Sequence, residues 1–133
     1  MSLTARLHID GHRKQEKGIR VLECSFEFKQ DADPIGQPRG IVQGGTLNIL
    51  LDVENDGELL HWMFNNVFKN GKIVYIGPME GKSIKTIEFE NAAMIKYREE
   101  YKEISAVHVH ITLTAQKITI AGEAMENSWT GFR

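Results

Sequence analysis

The chain has 133 residues, of which 41% are hydrophobic and 26% are charged, and this is the composition of an ordinary globular protein. A chain of this length buries enough apolar surface to fold as one domain, residues 1–133, without a metal or disulfide staple. Its 16 lysines and arginines and 18 aspartates and glutamates leave a net charge of −2. This balance gives no reason to expect nucleic acid or an anionic membrane as a partner.

The cysteine content and the hydropathy pattern exclude two further classes of protein. Cys24 is the only cysteine, so no intrachain disulfide can form, and its apolar neighbours predict a small core residue rather than a catalytic thiol. No window approaches 18 apolar residues, and residues 1–8 lack the continuous apolar stretch of a secretion signal. We therefore expect no membrane insertion and a protein that folds in the cytoplasm.

The first part of the chain alternates apolar and polar residues, as half-buried strands do. A first strand is predicted at Leu3–Ile9, and a second begins at about Ile19. The apolar phase of the second strand changes after Val21, which predicts a β-bulge or a strand that moves between sheets. A third strand follows, with one face formed by Leu47, Ile49, Leu51 and Val53.

The segment Gln30–Gly45 breaks this pattern, because it holds two of the three prolines and four glycines. It predicts a long loop without regular structure, and such loops tend to be functional or to be ordered by a partner. Its residues Ile35, Ile41 and Val42 are apolar in a segment that should be exposed, which favours burial against another chain.

A single amphipathic helix of about three turns is predicted from Glu58 to about Phe68. Asn55 or Asp56 is expected to cap its start, and Asn70-Gly71 to end it. Its apolar face is predicted to contain Leu59, Leu60, Met63, Phe64, Val67 and Phe68. We therefore expect Phe64→Asp to unfold the protein, since an unpaired charge would be buried.

Strands return in the remainder of the chain. A short strand around Ile73–Ile76 ends at Gly77-Pro78, and a longer one, from Ile84 to Tyr97, is predicted to bend near Asn91. The last strand begins at Val107, and its phase slips before Ile118. Six or seven strands and one helix indicate a mainly β fold, an antiparallel β-sandwich or barrel with one amphipathic α-helix.

His108 and His110 are the residues most suggestive of a metal site, because positions i and i+2 of a strand share a face. No carboxylate follows at residues 112–115, so a polar, water-facing strand surface is the favoured interpretation. The sequence also lacks a phosphate-binding loop and a nucleophile elbow. These observations argue against an enzyme, and we expect no catalytic residue, cofactor or metal.

Several short segments, in order along about 120 residues, give the chain a family resemblance. It resembles the type VI secretion tube proteins, called Hcp or TssD, in their Bacteroidetes branch. The segments are 5–11, Val21–Ser25, Gln30–Asp33, Gly36–Pro38, Val42–Gly45, Leu60–Met63, Phe89–Ala92, Ala115–Ile120 and Glu126–Trp129.

The resemblance implies a structural role. Proteins of this family have a β-barrel-like fold with one helix, are related to phage tail-tube proteins, and form hexameric rings around a wide channel. Their rings stack into a tube that carries effectors, bears a spike, and is expelled by a contractile sheath into a neighbouring cell in interbacterial competition. The resemblance implies no cofactor and no catalytic residue, and export by a dedicated machine rather than by a signal peptide.

Ring closure requires two different complementary surfaces on each subunit. The segment Gln30–Gly45 is a candidate for one of them, with Ile35, Arg39, Ile41 and Val42 as its anchors, so Ile41→Asp is expected to disrupt assembly and spare the monomer fold. The channel wall is expected to be either the Thr112/Thr114 face or the Thr46/Asn48 face. Two alternatives remain open: a small β-barrel that binds nucleic acid, and a barrel that binds a small ligand or a metal through His108 and His110.

Overall fold

The computed structural model describes residues 4–53, 56–78, 83–103 and 106–127. Within these ranges the chain forms seven strands and one helix. In chain order they are β1 (Thr4–Ile9), β2 (Ile19–Ala32), β3 (Pro38–Leu51), α1 (Gly57–Phe64), β4 (Lys69–Ile76), β5 (Ser83–Lys102), β6 (Ala106–Ile120) and β7 (Glu123–Glu126).

The strands form one antiparallel sheet that closes on itself. Their order is β3-β2-β1-β4-β5-β6-β7, and β3 also pairs with β6. The first six strands therefore make a barrel, while β7 pairs only with β6, among the described strands. The predicted mainly β fold with one helix is confirmed, and the closed sheet selects the barrel over the sandwich.

The core of the protein is the barrel interior. Every second residue of a strand points inward, so strict alternation in the sequence predicts which side chains are buried. The predicted face of the third strand is confirmed, with Leu47, Ile49 and Leu51 at 0% exposure and Val53 at 5%. Further fully buried side chains are Leu7, Ile73, Ile87, Ile111 and Leu113.

Two irregularities bend the barrel strands where the sequence changes phase. The β2–β3 register shifts between Val21 and Glu23, which confirms the predicted bulge. The second lies at Asn91, whose φ of 51° is left-handed and whose Nδ2 donates to Gln116 Oε1 at 2.9 Å. The backbone N–H of Asn91 also donates to Asn70 Oδ1 at 2.8 Å. These side-chain hydrogen bonds stabilise the bend that was predicted at this point.

The helix is shorter than predicted and buries a different face. α1 begins at the N-cap Asp56 and ends at Phe64. Asn65 Nδ2 bonds back to the His61 carbonyl and Asn66 takes a φ of 51°, so the chain leaves the helix there. The predicted stop Asn70-Gly71 lies instead inside β4.

This early end changes the role of Phe64. The side chains that α1 buries are Leu59 and Trp62, and Phe64 is 73% exposed. The expectation that Phe64 lies on the buried face is wrong, and this removes the reason to expect that Phe64→Asp unfolds the protein. A charge at this position stays in water, where it carries no desolvation penalty.

The segment Gln30–Gly45 is also not a structureless loop. β2 continues to Ala32 and β3 begins at Pro38, so these residues form most of a long β-hairpin. The register pairs Asp31 with Arg39 and Ala32 with Pro38. Proline is tolerated here because it is the first residue of its strand.

Candidate assembly surfaces

The tip of the β2–β3 hairpin is a rigid turn that displays an isoleucine. Asp33 Oδ1 accepts hydrogen bonds from the backbone N–H groups of Ile35, at 3.1 Å, and Gln37, at 2.8 Å. Two backbone bonds close the same turn, from the Asp33 N–H to the Gln37 carbonyl and from the Gly36 N–H to the Asp33 carbonyl, both at 2.9 Å. Ile35 is nevertheless 86% exposed, so the turn holds a large apolar side chain in water.

The four predicted interface residues all lie on this hairpin. Ile35 is at its tip, and Arg39, Ile41 and Val42 are in the first part of β3. The side chains of these last three residues lie outside the described part of the structure. The backbone alone therefore places the four positions on one projecting element.

The two faces that were predicted as alternatives for a channel wall are one surface. Directly paired residues of antiparallel strands lie on the same side of the sheet. Asn48 pairs with Ser25 on β2 and with Thr112 on β6, and Thr112 pairs with Lys96 on β5. A second row of direct partners contains Glu27, Thr46, Thr114 and Ala93.

This surface, the four-strand face, is polar and internally hydrogen-bonded. The Thr112 hydroxyl donates to Asn48 Oδ1 at 2.9 Å across the β3–β6 seam. Ser25 and Glu27 are exposed, and Thr46 and Asn48 are half-buried. The opposite side of β3 faces the barrel interior, where Leu47 and Ile49 are fully buried.

His108 and His110 lie on the four-strand face as well. They line a shallow cleft with Leu50, Arg98 and Glu100, and Arg98 is paired with Glu100 at 3.0 Å. His110 Nδ1 is buried and has no hydrogen-bond partner among the residues that the structure describes. Among the described residues, no group of three His, Cys, Asp or Glu side chains is arranged to hold a metal ion.

Sequence reasoning missed an apolar groove beside β7. The groove lies between the hairpin and strands β6 and β7. Its lining is apolar apart from the carboxylate of Glu123. The lining residues are Phe28, Ile118, Ile120, Glu123, Ala124 and Met125. The sequence signal for it was the apolar alternation of Cys24, Phe26 and Phe28 along β2. This alternation continues beyond the part of the strand whose inward side chains the barrel can bury.

Cys24 packs against the core as a partly buried residue, as its neighbours predicted. Burial raises the pKa of its thiol, and a hydrogen bond with Tyr75 opposes this only in part. Burial also raises the pKa of Tyr75, to about 12, so its hydroxyl stays neutral.

Cys24 is therefore expected to react slowly with iodoacetamide near pH 8. The raised pKa leaves less thiolate than an ordinary cysteine has, and the thiolate is the reacting species. The rate should rise to that of a free thiol when the protein is unfolded in urea. Mass spectrometry of timed samples measures both rates, and equal rates in the two states would contradict the burial of this thiol.

Among the described residues, none of the helical structure is long and apolar enough to cross a bilayer. A comparison with curated proteins finds no match. A family model, described as hemolysin coregulated protein Hcp (TssD), matches residues 1–130.

Solved structures are similar over nearly the whole chain. Hcp1 from Flavobacterium johnsoniae is 27% identical with a TM-score of 0.83, and the match covers 93% of this chain and 99% of that one. The Hcp1 protein from E. coli EAEC 042 pathovar is 12% identical with a TM-score of 0.74, over 97% and 99% of the two chains. The secreted protein Hcp3 from Pseudomonas aeruginosa is 13% identical with a TM-score of 0.66, over 98% and 100%. At such identities the last two show the fold alone.

The family match and the barrel fold confirm the resemblance to the Hcp or TssD tube proteins. A structural role in type VI secretion follows from the family, and this role is not enzymatic. The chain belongs to the hemolysin coregulated protein Hcp (TssD) family, the tube proteins of type VI secretion.

Proposed function

We propose that the protein is the subunit of a type VI secretion inner tube, in which copies of one domain, residues 1–133, form hexameric rings that stack around a channel. The observation that carries this proposal is the four-strand face. It is a broad polar surface on the outside of a barrel whose interior is already filled with side chains, so any channel must lie between subunits rather than inside one.

The four-strand face has the chemistry that a channel wall needs. A wall that lets folded cargo pass has to be wetted and mostly polar, because a large apolar patch would hold the cargo in place. Ser25, Thr46, Asn48 and Thr114 supply short polar groups, and their cross-strand pairing keeps the surface continuous over β2, β3 and β6. The hydrogen bond from Thr112 fixes one of these side chains, Asn48, across the β3–β6 seam.

The hairpin supplies one of the contacts between subunits. Ring and tube assembly is head to tail, so it needs a surface on one subunit that fits a different surface on the next. In this proposal Ile35, Arg39, Ile41 and Val42 anchor that contact. The exposed Ile35 on its rigid turn is the part of the contact that the described side chains support.

The proposed partners and location are those that the resemblance to the family implies. The tube is surrounded by contractile sheath proteins, capped by a spike protein, and filled with secreted effectors. It assembles in the cytoplasm and leaves the cell through the type VI machine, to the outside or into a target cell. No nucleic acid, membrane insertion or cofactor takes part in this role.

Light scattering on the size-exclusion peak, with negative-stain images of the same fraction, tests the proposal. A mass of six times 15.1 kDa together with annular particles is the expected result. A monodisperse 15.1 kDa monomer at high protein concentration would overturn it. Tight, salt-dependent binding of a monomer to single-stranded nucleic acid, or stoichiometric bound zinc, would instead favour the two alternative functions.

Ile35→Asp is expected to weaken assembly while leaving the monomer folded. The position is 86% exposed, so the substitution costs the fold nothing, but a carboxylate is poorly tolerated in an apolar contact. Scattering mass during dilution measures the assembly, and circular dichroism the fold. Ile84→Asp is a matched control, because Ile84 is an exposed isoleucine outside the hairpin. Equal assembly of Ile35→Asp and the parent protein would contradict the role of the tip.

A further inference from the structure

Two apolar surfaces in the described part of the chain are exposed to solvent: the hairpin tip and the apolar groove beside β7. Ile35 is a large apolar side chain at 86% exposure. The groove offers an apolar floor, with Phe28 still 36% exposed and Ile118 at 1%. Resting on the proposed function, which requires assembly from copies of this chain, we propose that Ile35 of one copy packs into the groove of a neighbouring copy.

The turn at the hairpin tip is already ordered in a single copy of the chain. Asp33 accepts from the N–H groups of Ile35 and Gln37, and two backbone bonds close the same turn. Because the turn is already ordered, little conformational entropy is lost when its side chain is buried. A flexible loop with the same sequence would have to be ordered first.

The groove has a fixed shape as well. The Phe28 ring stacks edge to face on Phe26 with their centroids 5.9 Å apart, and Lys85 Nζ lies 5.4 Å from the centroid of the Phe26 ring. On the other side, β7 is paired with β6, which places Met125 directly opposite Ile118. The chain that follows β7 is held at Asn127, whose Nδ2 donates to the carbonyls of Ala115 and Gly44.

In this proposal the Ile35 that fills the groove comes from another copy. Phe28 and Ile35 belong to the same hairpin, and from Phe28 to the end of β2 at Ala32 the strand extends about 13 Å. β2 stays paired with β3 up to the Ala32–Pro38 pair, although its register shifts on both sides of Lys29. Ile35 is 86% exposed and does not line the groove of its own copy, so in this proposal a second copy brings its Ile35 to the groove.

A contact of this kind is heterologous, because it joins two different surfaces. Each copy then carries one tip and one groove, so a pair joined head to tail by one such contact leaves a free tip at one end and a free groove at the other. Repeated head to tail, such contacts close into rings or continue into filaments. The same contact limits exposure of the apolar groove in the assembled state.

Cross-linking between two single-cysteine proteins tests the contact. In a Cys24→Ser background, one protein carries Ile35→Cys and the other carries Ala124→Cys, and both positions are exposed. The two are mixed in equal amounts, oxidised mildly and run on a non-reducing gel, after light scattering has confirmed that the mixture is assembled. A disulfide forms only where Cα atoms come within about 7 Å, so a dimer band specific to the mixture is the expected result.

A matched mixture replaces Ala124→Cys by Glu88→Cys, which is exposed on β5 and outside the groove. Assembly with equal cross-linking in both mixtures would overturn the docking of Ile35 in the groove and leave the proposed function standing. Failure of the parent protein to assemble at all would overturn both, so the two failures are distinguishable.

A charge comparison gives a second readout that needs no disulfide. Glu123 lines the groove, so Ile35→Lys should retain more assembly than Ile35→Asp when scattering mass is followed during dilution. Like charges repel in the aspartate variant, and opposite charges attract in the lysine variant. Equal loss in the two variants, or a greater loss with lysine, would place the tip away from Glu123 and overturn the inference.

Discussion

Trp62→Ala is expected to destabilise the protein by about 3–5 kcal/mol, which is the usual cost of removing a large aromatic side chain from a core. Trp62 is 1% exposed and is the largest fully buried side chain of the described residues. Its Nε1–H also donates to the Ala92 carbonyl at 3.1 Å, at the bend of β5. The substitution therefore leaves a cavity under α1 and removes a bond that attaches the helix to the barrel.

Urea unfolding measures this loss, and Phe64→Ala is the matched control. Both residues are aromatic and lie two positions apart on α1, but Phe64 is 73% exposed. Surface substitutions of this kind usually change the free energy of unfolding by about 0.5 kcal/mol or less. The proteins are compared at one concentration, because assembly adds to apparent stability. A loss below about 1 kcal/mol for Trp62→Ala would contradict the packing of α1 on β5.

The strands were predictable because the barrel imposes one simple rule on them. A closed sheet has an apolar inside and a solvated outside, so residues alternate along every strand. This rule alone identifies Leu47, Ile49, Leu51 and the bulge after Val21, since a bulge shifts the alternation. No knowledge of the strand order is needed to apply it.

The helix end and the hairpin were mispredicted because the same local pattern, apolar spacing or a group of glycines, occurs in more than one kind of structure. The apolar residues from Leu59 to Phe68 fit a helical period, but Asn65 and Asn66 end α1 and the chain then enters β4. The glycines of the segment Gln30–Gly45 were attributed to a loop. Instead, Gly45 takes a φ of +86° within β3, and a Cβ on Gly44 would meet the Phe28 ring at 2.3 Å. Glycine there permits close packing inside a strand.

The assembly surfaces were predictable only in part, because the sequence of one strand does not specify which other strand it pairs with. Thr46 and Asn48 on one strand and Thr112 and Thr114 on another were each identified as polar faces, but only the β3–β6 closure joins them. The groove depends on β7 folding back beside Phe28, which no periodicity in either segment specifies.

Asp56→Ala is expected to cost about 2–4 kcal/mol, because one buried carboxylate makes two separate contacts. Its Oδ1 accepts from the Leu59 N–H at 3.1 Å and so caps α1. Its Oδ2 lies 2.9 Å from His12 Nε2, with side-chain exposures of 3% for the histidine and 0% for the aspartate. The Lys14 N–H donates to His12 Nδ1 at 3.0 Å, so Nε2 carries the proton and donates to the carboxylate.

Two further variants separate these contacts in urea unfolding. Asp56→Ser keeps a capping oxygen, so it should recover about 1 kcal/mol relative to Asp56→Ala, while the buried His12 Nε2–H stays without its acceptor. His12→Ala should cost less in the Asp56→Ala background than in the parent protein, because the histidine has then already lost its partner. Additive losses would mean that the two side chains contribute independently. The turn that holds His12 would then not be tied to the start of α1 through this carboxylate.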